Sequence, residues 1–430
     1  MAHIILYTAC LAAAAWQLRR VPRLWAFLLL FVALMPKVAV AGVSGNPTPI
    51  RIDDLVVGAA LAAWFFRRRV EPPASSATFF LVLYWGTAAV ATLVGMAAMT
   101  TEPLTGVLHA GRLLEYGLLY FLFYSEIAPE DLGAFVEVIA TSLILLFAIW
   151  FGQHWTHAPA IELAPGESAS PWTTLYPTFS ASYDFGGFVM LSTVVLYAVW
   201  SRGADRGAWT TAALAAGAWL TINSESRVSL LSLAVVVAID IVLRARWWAA
   251  AAAAAIAAAV TPLLMRSAKM RRLVTGVVAI ATTFQLGVVR QVIAGDPSLA
   301  LRTRNWRLAV EHWAARPFLG DGLGGYLSYT RQYDLPGSTD GWYLRVLADT
   351  GAAGLVAFLL LAGALLWLLA RHVRRETDPL RRAIVYAAAL AVTAASVSAL
   401  LVDTFVSYKI MGVFWTIVAC GTRVAADTQS

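Results

Sequence analysis

The chain has 430 residues, of which 60% are hydrophobic and only 13% charged, with a mean hydropathy of +0.70. Soluble globular proteins carry about 25% charged residues, and one buried core cannot hide so large an apolar share, so an all-α, polytopic integral membrane protein is expected. The net charge of +7, from 32 basic and 25 acidic residues, then reads as a topological signal rather than a nucleic-acid-binding surface.

Apolar stretches that cross or nearly cross a hydrocarbon layer of about 30 Å fall in order at residues 4–18, 24–41, 54–66, 79–98, 107–127, 133–155, 185–200, 209–222, 228–243, 247–265, 352–370, 383–402 and 405–420. They predict about twelve or thirteen helices. The first is short, but no basic region precedes it and no small-residue cleavage site follows it cleanly, so it reads as a helix rather than a signal peptide. Short basic clusters follow alternate segments: Arg19, Arg20 and Arg23; Arg67 to Arg69; Arg202 and Arg206; Arg244 and Arg246; Arg371 to Arg382. All fall on one side, which the positive-inside rule makes the cytoplasm. The opposite, periplasmic side receives the loops 42–53, 99–106, 154–183 and 223–227 and the long stretch 266–350, which are richer in Pro, Gly, Ser and aromatics. Three regions result: N-terminal spans over 1–265, a long periplasmic loop with short amphipathic helices over 266–350, and C-terminal spans over 351–430. Residues 273–289 are apolar enough to span, but parity between Arg244 and Arg382 makes them an interfacial or buried helix. Cys10 and Cys420 give neither a disulfide framework nor a metal signature.

Ionisable groups at membrane depth are costly and therefore candidates for function. On the outer side they are Arg112 with Glu115, Asp184, Glu225 with Arg227, Arg302 with Arg304, Asp340, Asp403 and Lys409. Arg112 and Glu115, three apart, equally make a helix-locking ion pair. Arg227 stands at the outer end of a helix, in Asn223-Ser-Glu-Ser-Arg227. Arginines that converge on a cavity would receive a polyanionic headgroup, most simply a diphosphate. In the long loop, 301–313 predicts an amphipathic helix with Trp306, Val310 and Trp313 on one face and Arg302, Arg304 and Arg307 in its first turns. The glycine run Gly320-Asp-Gly-Leu-Gly-Gly325 lacks the strand-then-helix setting and the Lys-Ser or Lys-Thr of a nucleotide loop, so it reads as a structural turn. Asp340, before Trp342 and Tyr343, is either the N-cap of the next helix or a catalytic acid–base group. Outer-loop rings such as Trp172, Tyr176, Tyr326, Tyr329 and Tyr333 suit both sugar stacking and an interfacial aromatic belt. The histidines have no metal-ligand spacing.

In their order these features resemble the O-antigen ligase and polymerase superfamily of membrane glycosyltransferases, over residues 176–419. The matching elements are Asn223-Ser-Glu-Ser-Arg-Val228, Arg302 followed four residues later by Trp306, Pro317-Phe-Leu-Gly320-Asp-Gly322-Leu-Gly324, and Gly351-Ala-Ala-Gly354. One departure is that the family's His-Asn pair stands here as Asp340-Gly341. The resemblance implies a transferase without cofactor or metal that moves a glycan from undecaprenyl diphosphate to a sugar hydroxyl at the periplasmic face. Arg227 and Arg302, with Arg304 and Arg112 as further candidates, would hold the diphosphate, and Asp340 would stand in for the histidine as the base. Asp184, Trp342 and Tyr343 are the candidates for holding the glycan or the acceptor. The implied partners are the lipid-linked donor, a glycan or lipid-linked acceptor, and the bilayer. A surface-polysaccharide or exopolysaccharide polymerase uses the same kind of donor, and a lipid-linked oligosaccharide flippase is the alternative from another class.

Overall fold

The computed structural model describes residues 2–36, 39–43, 46–67, 75–156, 178–179, 181–244, 297–333 and 339–427. The expected span 247–265, the apolar stretch 273–289, and Trp172 and Tyr176 lie outside these residues. The N-terminal part consists of α1 (Ala2–Arg20), α2 (Leu24–Leu34), α3 (Ile52–Arg67), α4 (Ser76–Ala97), α5 (Pro103–Glu126), α6 (Leu132–Thr156), α7 (Ser182–Ser201), α8 (Ala208–Asn223) and α9 (Arg227–Leu243). After the long loop's α10 (Pro297–Ala314) and α11 (Gly325–Gln332) come α12 (Trp342–Val373), α13 (Pro379–Ser398) and α14 (Tyr408–Asp427). The chain is an all-α polytopic membrane protein. Among the described residues its one departure is a short antiparallel hairpin, β1 (Ala39–Val43) with β2 (Asn46–Arg51), between α2 and α3.

Among the described residues six helices are long and apolar enough to cross a membrane: Ser76–Ala97, Pro129–Trp155, Ser182–Ser201, Trp342–Val373, Pro379–Ser398 and Tyr408–Asp427. Several other expected spans form shorter helices, such as α2, α3, α8 and α9 with 11 to 17 residues. α5 is long enough, but His109, Arg112 and Glu115 interrupt its apolar run. α7 and α14 form the enclosed centre, each 83% buried over its most apolar stretch, whereas α4 and α12 are only 33% buried. Close approach at the centre needs small residues, as in other helix pairs without a water-driven hydrophobic force between them. A Cβ at Gly421 of α14 would stand 2.4 Å from that of Ala388 in α13.

The helix ends sort into two groups. At one end lie the arginine clusters: Arg23 pairs with Asp131 at 3.6 Å, Arg381 with Asp427 at 3.1 Å, and Arg202 and Arg244 with Asp240 at 3.7 and 2.7 Å. The other end gathers the loops that the charge pattern assigns to the outer face. Thr100 there donates to the Asp321 carbonyl at 3.0 Å, and Lys409 Nζ donates to the carbonyls of Met35 and Thr178, each at 2.8 Å.

α12 starts earlier than the expected 352–370. It begins at Trp342 and is broken at Gly351, where φ is 66° and ψ −169°. A helix break of this kind strands backbone groups on both sides. Here the glycine-rich turn after α10 takes them up: the Asp321 and Gly322 amides donate to the Ala348 and Asp349 carbonyls at 3.2 and 2.8 Å. The Ala352 and Ala353 amides in turn donate to the Pro317 and Phe318 carbonyls at 2.8 and 3.1 Å. α10 also differs in its inward face. Asn305 and Ala309 are buried, while Val310 is 42% exposed.

Candidate active site

The site is assembled where α10, α11 and the first turns of α12 meet the ends of α4 and α13 and the start of α5. Gly320, Gly322 and Gly324 all have φ between 63° and 90°, so the turn that carries them is open to glycine and closed to most other residues. A Cβ at Gly320 would lie 2.6 Å from the Ala348 carbonyl oxygen. Asp321, buried inside the turn, receives Arg316 Nη1 at 2.7 Å and is in close contact with His312 Nε2, while its own carbonyl takes the hydroxyl of Thr101. Leu323 N donates to Thr92 Oγ1 of α4 at 3.1 Å. The expected structural turn is thus the wedge that holds the α12 break and fixes the loop to the bundle.

Asp340 precedes the first helical half of α12. Its φ of 49° is left-handed, which Asp tolerates better than most residues. Asp340 is not the helix cap, because Gly341 takes that place and no side chain caps the helix there. The Gly341 amide donates to Asp403 Oδ1 at 3.2 Å, and Trp342 N donates to the Ala399 carbonyl at 2.8 Å, so the end of α13 and the turn after it supply the missing acceptors. Asp340 instead meets α10: Asn305 Nδ2 donates to its Oδ2 at 2.6 Å and Trp306 Nε1 to its carbonyl at 3.0 Å. Arg302, half-buried, lies one turn before Asn305 and Trp306 on the same helical face, whereas Arg304 is exposed on another.

Below Asp340, Arg345 Nε bonds Asp349 Oδ2 at 2.7 Å, and both residues are buried. Asp349 Oδ1 also accepts the Tyr326 amide at 3.1 Å, which ties α11 to α12. His109 of α5 lies within electrostatic reach of both Arg345 and Arg112. Arg112 reaches Asp54 of α3 at 3.4 Å, and Glu115 lies within reach of Asp53, Asp54 and Arg112. Arg112 is therefore set among carboxylates of two helices, wider than the single i,i+3 pair with Glu115 that spacing allows.

The remaining sequence candidates sit around this centre. Arg227 is the first residue of α9, half-buried, next to Ser226, whose hydroxyl caps the helix by accepting Ser229 N at 3.3 Å. Asp184 is fully buried in the first turn of α7. Lys409, also fully buried, stands 3.9 Å from the centroid of the Phe179 ring, which packs on Phe185 at 5.3 Å. Trp342 and Tyr343 turn into the bundle: Trp342 packs on Phe405 at 5.6 Å, and Tyr343 donates to the Ser396 carbonyl at 3.0 Å. Trp342 and Phe405 also line an apolar cavity between α4, α5, α12, α13 and α14, with Tyr84, Trp85, Tyr116 and Phe358.

The family described as O-antigen ligase matches residues 187–359. Over these residues the chain is similar to the O-antigen ligase superfamily. No curated protein matches the chain. The ligase-family segment runs from inside α7 through the first half of α12 and contains Arg227, Arg302, Asp340, Arg345 and Asp349, together with the glycine turn. It supports a function of O-antigen ligase or polymerase type, in a multi-pass bacterial membrane protein that acts on a lipid-linked glycan. Asp184, Arg112, Asp403 and Lys409 are supplied to the ligase-family segment from outside it. Arg345 carried no functional assignment in the sequence, and Tyr326 stood only among the rings that suit sugar stacking or an interfacial belt. The signal for Arg345 was its spacing of four from Asp349 within an apolar run.

Proposed function

We propose that the protein is a glycosyltransferase of the inner membrane that moves a glycan from undecaprenyl diphosphate to a sugar hydroxyl at the periplasmic face. One observation carries this reading: Asp340, in a left-handed conformation, is tied by Asn305 and Trp306 to the helix face that also bears Arg302. A proton acceptor and a guanidinium are thereby held in one place. The acceptor oxygen forms a bond to the anomeric carbon while the bond from that carbon to the diphosphate oxygen breaks. The leaving oxygen keeps the electron pair, and the acceptor proton passes to Asp340. Arg302 and Arg227 stabilise the diphosphate as its charge grows, which is the step where fixed cations act most strongly. The apolar cavity beside Trp342 and Phe405 offers a place for the isoprenoid chain within reach of the same loop. The candidate site residues Arg227, Arg302 and Asp340 gather at one end of the bundle rather than at its midplane, which speaks for chemistry at a face over transport.

The test replaces Arg227 and Arg302 by Ala, singly and together, and measures mature surface glycan and accumulated lipid-linked donor in cells. Each change is expected to lower transfer roughly 10²–10³-fold, with donor accumulating. Normal polymer in the double variant defeats the reading.

A further inference from the structure

Tyr326 is fully buried, yet its hydroxyl makes no hydrogen bond among the described residues. Its ring is fixed from several sides. The backbone amide is bound to Asp349, the ring meets His312 edge-on at 5.6 Å, and Tyr329 lies 6.5 Å away. A phenol so fixed cannot turn its hydroxyl to water, and leaving a buried polar group unmatched is costly. Tyr326 lies within electrostatic reach of Arg345, Asp349 and Asp403. This surrounding mixes one guanidinium with two carboxylates. It differs from the arginine-rich chemistry that suits a diphosphate and matches what a neutral polyol needs, with donors and acceptors side by side. A row of rings leads to it from outside: Tyr333, 59% exposed, packs on Tyr329 at 5.0 Å, and Tyr329 packs on His312 at 4.3 Å.

We infer that Tyr326, Arg345, Asp349 and Asp403 form a saccharide subsite, in which the Tyr326 hydroxyl donates to a hydroxyl or ring oxygen of the glycan and the Tyr333–Tyr329–His312 row guides the sugar inward. The inference rests on the transferase reading above and names the sugar-holding part of that site. Burial pushes the Tyr326 phenol up to about 12, so the group remains a neutral donor throughout the physiological range.

The test compares the full-length protein in nanodiscs with its Tyr326→Phe and Tyr329→Phe variants. Thermal stabilisation is read with bare undecaprenyl diphosphate and with the glycan-bearing lipid that accumulates in the double-arginine variant. Tyr326→Phe should keep its ligand-free melting temperature and its response to the bare diphosphate lipid. Its affinity for the glycan-bearing lipid should fall roughly fivefold or more, the worth of one hydrogen bond, whereas Tyr329→Phe, which keeps its ring in the row, should lose clearly less. An unchanged glycan affinity overturns the inference. So does a lower ligand-free melting temperature, which would give the hydroxyl a structural partner, or an equal loss for the bare diphosphate lipid. Equal losses in both variants likewise overturn it, because they would implicate the ring row rather than the hydroxyl. A parent protein that binds the glycan lipid but never transfers it would defeat the transferase reading alone, and the subsite would still be judged by the binding comparison.

Discussion

Two buried clusters of charge sit at opposite ends of α13, and they are built differently. At the end near Tyr386, Asp240 is 2% exposed and accepts from Tyr197 at 2.6 Å, from Arg244 Nε at 2.7 Å and from the Tyr386 hydroxyl. Arg244 also donates to the Ser201 carbonyl and hydroxyl, and Arg202 lies 3.7 Å over the Tyr386 ring. These partners clamp α7, α9 and α13 together, and every one comes from a helix or its last turn. At the end near Ser398, Arg345 and Asp349 pair within the first half of α12, and Asp340 and Asp403 lie on the irregular backbone beside it. Met99, Glu225 and Asp340, the three non-glycine residues with positive φ among the described residues, all lie at this second end. Backbone held in sparsely populated regions gathers where function requires it. The comparison teaches that charge alone does not mark a site. The Asp240 cluster is charge used to fasten helices, and the Asp340 region is charge held beside irregular backbone.

The widest separation between the two ends should come from their carboxylates. Asp340→Asn keeps the shape and removes the base, so transfer should fall about 10²–10⁴-fold while the melting temperature hardly moves, read by glycan assay and thermal unfolding of the same preparation. Asp240→Ala should do the reverse. Removing one partner of a buried charged network costs roughly 3–5 kcal/mol, so folded protein in the membrane should drop, and whatever folds should retain its activity per molecule. If Asp240→Ala stayed stable and lost activity instead, the division between fastening and chemistry would be wrong. Next in size is Gly351→Ala. The left-handed φ of 66° and a Cβ placed 2.3 Å from the Phe318 carbonyl should cost more than the ~1–3 kcal/mol typical of a strained backbone position. A lower melting temperature together with lower activity is the expected outcome, since the wedge positions both α11 and the first half of α12.

Much of this arrangement was legible in the chain. Hydropathy gave the helical membrane architecture, the arginine clusters gave one end of it, and the glycine run was correctly a structural turn. What was missed follows from the α12 break. Because the apolar run is strongest from 352 onward, the helix expected to follow Asp340 reads as separate from the span at 352–370, and Arg345 with Asp349 carried no assignment. The pattern of α10 misled for a related reason. Hydrophobicity favours Trp306, Val310 and Trp313, but the inward face is chosen by Asn305, a polar residue that becomes valuable only once Asp340 lies opposite it. No local pattern in either segment encodes that pairing, which joins residues 35 positions apart. Among the described residues six helices combine the length and apolarity of a full crossing, while α2, α3, α8 and α9 have 11 to 17 residues.

The smallest predicted effect concerns Arg227, and it separates position from charge. Ser226 accepts the Ser229 amide at 3.3 Å and its hydroxyl lies 2.8 Å from that of Ser229, with Gly186 of α7 packed so closely that a Cβ there would come within 2.6 Å of the Ser226 Cβ. This contact fixes where α9 begins, and Arg227 is its first residue. Ser226→Ala should cost about 1 kcal/mol through the lost cap, a modest fall in melting temperature. If Arg227 works only where the cap holds it, transfer should fall severalfold beyond what the lost stability explains. Ser226→Thr, which restores the hydroxyl but crowds Gly186, should recover the cap and less of the activity. Equal activity in all three proteins would mean that Arg227 needs no such placement, and that its charge, not its position at the helix start, is what the site uses.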